Sequence, residues 1–281
     1  MLLAMLLPAS AAVAAPHSPT GEFAPFADCP LSNANAALCL QAETKSGYIT
    51  IGNKKTPIVK PVILQGGLAF NEAGELVFLG AEDGETLTKA PQPVPGGLLG
   101  ITAPSWWPSL LRNLFNETIN NGFTGVTATM ELAGPSSSVH PDLLALLEER
   151  STPALSMPVK VKLSNPFLGN SCYLGSNSNP IKLNLTTGTT SPPPPNSPIS
   201  GDVTALTENP QGTLVTLDGV RLVDNSFAVP GANGCGGLFS FLVDPFVNEI
   251  VGTPAAAGKN TAVLEGTNKL APREAVIASE P

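Results

Sequence analysis

Residues 158–188, PVKVKLSNPFLGNSCYLGSNSNPIKLNLTTG, constrain what this chain can fold into more than any other stretch. In the first half Val159, Val161 and Leu163 are apolar, with Lys160 and Lys162 between them. In the second half Ile181, Leu183 and Leu185 alternate with Lys182, Asn184 and Thr186. A period of two puts each apolar set on one face of a strand and each polar set on the other. The stretch therefore predicts two half-buried strands of an antiparallel sheet, separated by a polar loop that carries Cys172.

The 281 residues are enough for one large all-β domain or two small ones. Gly 27 and Pro 29 make about a fifth of the chain, which implies many turns without reaching a disordered composition. The formal charge is −8, and no basic cluster is longer than Lys54-Lys55. That balance argues against nucleic acid as a partner, because its binders need Lys/Arg patches that displace counterions. It argues equally against electrostatic attachment to anionic lipid.

The start, MLLAMLLPASAAVAAP, has a short apolar run from Leu2 to Leu7 and small residues at Ala12, Ala14 and Ala15. Residues 1–15 are expected to be a secretory signal peptide cleaved near Ala14 or Ala15, with residues 16–28 a linker. The positive residues that normally precede the apolar run are missing, as they would be if the true start lay upstream of Met1. No later apolar run approaches the roughly 20 residues of a spanning helix, so no transmembrane anchor is expected after cleavage. Four cysteines, Cys29, Cys39, Cys172 and Cys235, fit this address. An even count in an exported chain suggests disulfides, and three pairings are possible. Cys29–Cys39 and Cys172–Cys235 is the pairing expected, because the first two are close in sequence and close a small loop. A metal site is disfavoured: there is no C-x-x-C, and His17 and His140 are the only histidines.

Strands are expected at residues 44–52 and 56–64, where Pro57 and Pro61 mark an edge. Further strands are expected at 75–80 and 123–132. The best helix covers about 106–121, with Ser105 as N-cap, Pro108 in the first turn and Gly122 at the stop. Its apolar stripe of Trp107, Leu110, Leu111, Leu114, Phe115 and Thr118 is expected to pack on the sheet; the alternative is a lid over an apolar pocket. A short helix is expected at about 141–150. The proline run at 191–198 favours an extended surface connection. Residues 212–223 suggest a hairpin turning at Asp218-Gly219. GANGCGG (231–237) suggests glycines turning around a disulfide, followed by an apolar β-like run, LFSFLVDPFV. A last strand is expected at 261–270, before a frayed tail at 271–281.

Chemistry is sparse. A Ser–His–acid triad would need His140, which sits before Pro141 at an expected helix start, and no G-x-S-x-G elbow exists. Glu82-Asp83 with Glu85, and Glu148-Glu149, are the local acidic groups, both expected to be solvated surface charge. The first, AEDGE, has calcium-type oxygens at a spacing that matches no known loop. GANGCGG lacks the strand-before, helix-after context of a phosphate loop. No catalytic residue, cofactor or metal is therefore assigned. Asn116-Glu117-Thr118 and Asn184-Leu185-Thr186 match a glycosylation acceptor, a frequent chance occurrence.

The phrases TIG-KK-TPI, ILQGGL, VPGGLLGI, FTGVTA, NPFLGNSCYLGS-NP, LNLTTGTTSPPPPN, GCGG and AAGKNTAVLEGT, in that order, resemble a family of actinobacterial secreted proteins. The likeness spans most of residues 29–267. It implies export and a single unit, and carries no catalytic residue. The expectation is thus a mainly β secreted domain over 29–270, an antiparallel sandwich or barrel-like fold with one amphipathic helix and one short helix. Its expected role is non-enzymatic, binding or structural, with a cell-envelope component as the candidate partner. A hydrolase of extracellular polymers and a carrier of an apolar ligand are the alternatives.

Overall fold

The structure, a computed structural model, describes residues 17–100, 102–120 and 124–281. The expected signal peptide and the helix stop at Gly122 lie outside the described residues. In chain order the strands are β1 (Leu38–Ile51), β2 (Lys54–Pro57), β3 (Val62–Phe70), β4 (Leu76–Gly80), β5 (Gln92–Pro93) and β6 (Thr127–Leu132). Then follow β7 (His140–Pro141), β8 (Leu155–Ser164), β9 (Tyr173–Leu174) and β10 (Ile181–Leu185). The last are β11 (Ala205–Glu208), β12 (Val215–Asp224), β13 (Ala232–Asn233) and β14 (Thr261–Pro272). The α-helices are α1 (Ser109–Asn120), α2 (Leu143–Leu147), α3 (Ser240–Val251) and α4 (Arg273–Ala278).

The strands form two antiparallel sheets. One runs β11-β12-β14-β1-β3-β4, with β2 paired to β1. The other runs β13-β9-β8-β6-β5, with β7 and β10 also paired to β8. The fold is a β-sandwich, as the alternation predicts. β8 buries Leu155, Met157, Val159, Val161 and Leu163 and leaves the intervening residues half-covered. β10 joins it antiparallel with Ile181 opposite Val159 and Leu183 opposite Met157. On the outer face Lys160 lies 3.9 Å from Glu131 and over the ring of Tyr173. Charge is thus paired outside while methyl groups fill the space between the sheets, about 10 Å in a sandwich.

The sheets are laced together at both sides. Thr186 and Val223 exchange backbone hydrogen bonds at 2.9 Å, joining the end of β10 to β12. On the opposite side the Gln92 carboxamide accepts from the Val59 and Lys60 N–H groups at 2.9 and 3.0 Å and donates to the Lys60 carbonyl at 2.8 Å. The first side is closed by backbone; on the second, Gln92 links the segment after β2 to β5, while Thr86 and Thr88, ahead of β5, exchange backbone hydrogen bonds with Gln65 and Ile63 of β3 at 2.9 Å.

A glycine fixes how closely the central strands approach. β1 changes register against β14 between Thr44 and Ser46, and Gly266 faces this bulge. A Cβ on Gly266 would overlap the Glu43 carbonyl oxygen, so only a bare Cα fits here.

Six expectations are corrected. Neither residues 16–28 nor residues 271–281 are loose where they are described. Gly21–Phe26 forms a 3-10 helix that buries Phe26, and α4 buries Val276. Both cover the outer face of the first sheet around the Cys29–Cys39 bridge. His17 Nδ1 lies 2.8 Å from Glu280 Oε1, and Thr20 Oγ1 donates to the Ser279 carbonyl, so the two ends brace each other. Second, residues 215–224 are one strand: Asp218-Gly219 makes a bulge within β12, not a hairpin turn. A D-G pair supplies the left-handed backbone that either device needs, and Gly219 has φ +62°. The turn lies at Asn209, whose carboxamide oxygen accepts from the Thr213 and Leu214 N–H groups. Third, the β-like run after Cys235 is helix α3, as periodicity alone cannot separate a short apolar strand from a helix. Fourth, the helix expected at 141–150 is only α2, because His140-Pro141 pairs with β8 as a strand. Fifth, the stripe of α1 does not pack on the sheet, as described below. Sixth, the strand expected at 56–64 is two, β2 and β3, because Pro61 and its neighbours break the pairing between them; the other strands extend or trim the expected ranges.

Both disulfides form in the expected pairing, Cys29–Cys39 and Cys172–Cys235. The second closes a long loop, which stabilises the fold by about 4 kcal/mol on the chain-entropy estimate. Removing it in Cys172→Ser/Cys235→Ser is expected to cost about 2–5 kcal/mol, read from urea unfolding under non-reducing conditions. Gly266→Val is expected to cost about 1–3 kcal/mol in the same assay, because β1 and β14 must separate to admit the side chain.

Candidate functional site

Among the described residues neither histidine is brought to a serine and an acid, while Asp83, Glu85 and Glu131 line one open polar hollow of about 610 Å³. His140 is exposed and belongs to the edge of the β8 ladder. His17 is bound to Glu280. Glu148 pairs with its neighbour Arg150 at the surface. The AEDGE turn is also at the surface: Asp83 accepts from the Glu85 N–H and Glu85 from the Lys89 N–H, each capping local backbone. Asp28 sits close by and donates nothing; its carboxylate accepts from Gln65 at 3.0 Å. Burial, and the repulsion of Asp83 and Glu85, raise its pKa from the ordinary value. Among the described residues no group of three His, Cys, Asp or Glu could hold a metal ion.

Asp224 is the most deeply buried carboxylate of the set with a perturbed pKa, at 2% exposure. It accepts from the Asn184 N–H at 2.7 Å and the Ser226 N–H at 2.8 Å. Burial raises its pKa, and these two hydrogen bonds oppose that only in part. The group ties β10 to β12 and is structural.

What the fold assembles instead is an apolar end. α1 turns Leu110 and Leu111 to solvent, at 70% and 53% exposure, and Trp106 in the turn before it is 80% exposed. The helix is held by its own flank: the Trp107 ring meets Phe115 edge-on at 5.4 Å, and Asn116 accepts from the Ala103 N–H. It packs on the short 3-10 turn Gly97–Leu99. α3 and the 3-10 turn before it expose Leu238, Phe239, Phe241, Leu242 and Phe246. α3 is fixed on its other side by buried Val247, and at its start by Asp244, which accepts from the Gly234 and Cys235 N–H groups. The Cys172–Cys235 bridge thus anchors α3 to the second sheet. Leu98, from the turn under α1, lines the same hollow as Phe246 and Ile250 of α3. Both helices therefore flank one end of the sandwich.

That hollow leads inward. It is an apolar void of about 40 Å³ with Lys54 on its rim and Val126 and Leu163 on its walls. A second void of about 50 Å³ is lined by Thr56, Ile58, Ala128, Met130 and Val161. These are successive positions on the same segments: 54 and 56 on β2, 126 just before β6 and 128 within it, 163 and 161 on β8. The two voids share no lining residue but lie next to each other between the sheets, as two chambers of a slot. Lys54 Nζ donates to the Gly100 carbonyl at 3.2 Å. Among the described residues it has no carboxylate at ion-pair distance. Burial lowers its pKa, since the apolar rim desolvates the ammonium.

The sequence-predicted cysteines therefore serve architecture. The features sequence reading missed are the exposure of the α1 stripe, the helical state of α3, and Lys54. A period of 3.6 signals an apolar face without saying whether anything covers it. The chain matches no family model, and no curated protein or solved structure is significantly similar to it.

A carboxyl whose pKa is raised in the folded state binds its proton more tightly there than in the unfolded chain. Its contribution to stability therefore grows as pH falls through the folded pKa towards the ordinary carboxylate range. The cost of Asp224→Ala is expected to be larger at about pH 4 than at about pH 7, measured by urea unfolding of both proteins at each pH.

Proposed function

We propose that this is an exported, non-enzymatic binding protein whose apolar end engages amphiphilic molecules of the cell envelope or its surroundings. The observation that carries this reading is the concentration of exposed apolar side chains on α1 and on the run from Leu238 to Phe246, flanking an apolar slot. Scattered apolar residues are ordinary on a protein surface; a contiguous group around a cleft marks an interaction site. Helices that present such a face beside a polar one lie well at an apolar–water boundary. Two disulfides fit an oxidising environment. The resemblance to secreted actinobacterial proteins agrees with export. No described helix is long and apolar enough to cross a membrane, so contact through α1 and α3 would be peripheral.

The carrier reading joins this one: it requires an enclosed apolar space, and the slot supplies a narrow one. Asp83 and Glu85 cap their own turn, and the hydrolase reading rests only on the open polar hollow that they line with Glu131.

The wild-type protein is expected to co-float with neutral phosphatidylcholine vesicles on a density gradient. Leu238→Ser/Phe241→Ser removes two anchors, each contributing about 1.5–3 kcal/mol if fully buried, and is expected to lower the bound fraction at least about tenfold. Both residues are exposed, so the fold should survive, as circular dichroism can verify. Equal flotation of the two proteins, or none by either, sinks the proposal.

A further inference from the structure

We infer that the slot between the sheets takes the single acyl chain of an anionic amphiphile, tail first, with Lys54 meeting the carboxylate or phosphate head at the rim. This rests on the apolar-end reading and names the ligand class for it. Four observations lead there.

The shape comes first. The two voids are far smaller than the roughly 300–1,000 Å³ of a pocket for a compact ligand. They are strung along one direction, from Lys54 past Thr56 to Ile58 on β2, about 13 Å at the rise of a strand. A ring system has no room; a slender flexible chain follows such a path.

Second, the lining is apolar. Met130, Val161 and Ile58 offer no strong hydrogen-bond partner to a polar ligand, and Met is the side chain best suited to reshape around a new occupant.

Third, one wall can part. β2 pairs only with β1, and β5 only with β6. Between these two strands the Gln92 carboxamide makes the connection, to the backbone of Val59 and Lys60. A chain entering the slot can widen it between β2 and β5 by loosening that clasp, while the backbone bonds of Thr86 and Thr88 with Gln65 and Ile63 hold the segment ahead of β5 on β3.

The fourth is charge. In a protein of net charge −8, an ammonium stands on the rim of this apolar opening and, among the described residues, donates to the Gly100 carbonyl. Its aliphatic stem lies along the apolar rim while its head reaches the mouth, as long basic side chains do. A ligand with an apolar tail and an anionic head satisfies both the slot and the ammonium. A cationic or neutral head satisfies only the slot.

The test uses the whole disulfide-bonded protein and cis-parinaric acid, a fluorescent fatty acid. Its emission is expected to rise on binding and to be competed by dodecanoate. Monododecyl phosphate, dodecanol and dodecyltrimethylammonium are the comparison competitors. Dodecanoate and the phosphate are each expected to compete about tenfold better than dodecanol, the effect of one charge-assisted hydrogen bond, and the cationic head worst of all. A gap between the two anions tells which head, fatty acid or lysolipid type, the rim prefers. Lys54→Met keeps the stem and is expected to erase the anion preference while leaving dodecanol unchanged. Lys54 is half-exposed, so this variant should fold.

The vesicle-contact variant separates the slot from the outer helix faces. Leu238→Ser/Phe241→Ser is expected to lose flotation yet retain parinaric acid binding. If it loses both, the chain sits on the outer helix faces and the slot assignment falls. If all heads compete equally and Lys54→Met changes nothing, the headgroup assignment falls. If parinaric acid fails to bind while wild-type protein still floats with vesicles, the slot inference is overturned and the apolar-end reading stands.

Discussion

Burial of one face of β8 is the constraint on which the rest of the structure depends. Four strands, β6, β7, β9 and β10, are hydrogen-bonded directly to it, and β5 and β13 attach through β6 and β9. A slip of one residue would turn Val159, Val161 and Leu163 to solvent and bring Lys160 and Lys162 into the core, so one register is specified. The ion pair and cation–π contact of Lys160 on the outer face require the same register. With β8 set, the second sheet has one apolar face, and the first sheet covers it.

From this follows where the sandwich is tight and where it is not. On the β10–β12 side, backbone bonds and the buried Asp224 join the sheets, and the proline segment is pinned by Asn196, which donates to the Asn225 and Asn260 carbonyls, and by Asn225, which donates to the Ser197 carbonyl. On the β2–β5 side the strands are short and proline-bearing, and Gln92 substitutes for a ladder. Proline withholds the donor that continued pairing would need. The slot lies along this weaker side, and its mouth faces the two helices with uncovered apolar residues. Strong and weak closure thus sit on opposite sides of one core.

Much of this was legible in the residues themselves. Alternation at residues 159–163 and 181–185 located the central hairpin pairing, and the spacing of the cysteines matched the bridges that form. Pro57 ends the short β2 and Pro61 lies in the break before β3, an interior strand, so the edge strand expected at 56–64 is not formed. The errors have physical causes. Asp218-Gly219 suits a bulge as well as a turn. LFSFLVDPFV is too short and too uniformly apolar for its period to separate helix from strand. The flanks at Phe26 and Val276 were taken for loose ends because their partner, the outer face of the first sheet, is built from strands far away in sequence. The candidate site was the least legible part. Leu110 and Phe241 look like core residues by type, and Lys54 like an ordinary surface lysine.

The sequence by itself determined the class of fold, the cross-links and the scarcity of reaction chemistry, because these depend on local period, cysteine number and which side chains exist at all. Only the tertiary structure decided which apolar faces are covered, that inward-facing positions of neighbouring strands place two apolar voids side by side, and that the Lys54 ammonium stands at the rim of one. Those properties depend on distances between segments up to two hundred residues apart, such as Lys54 and Ile250, and no local pattern encodes them.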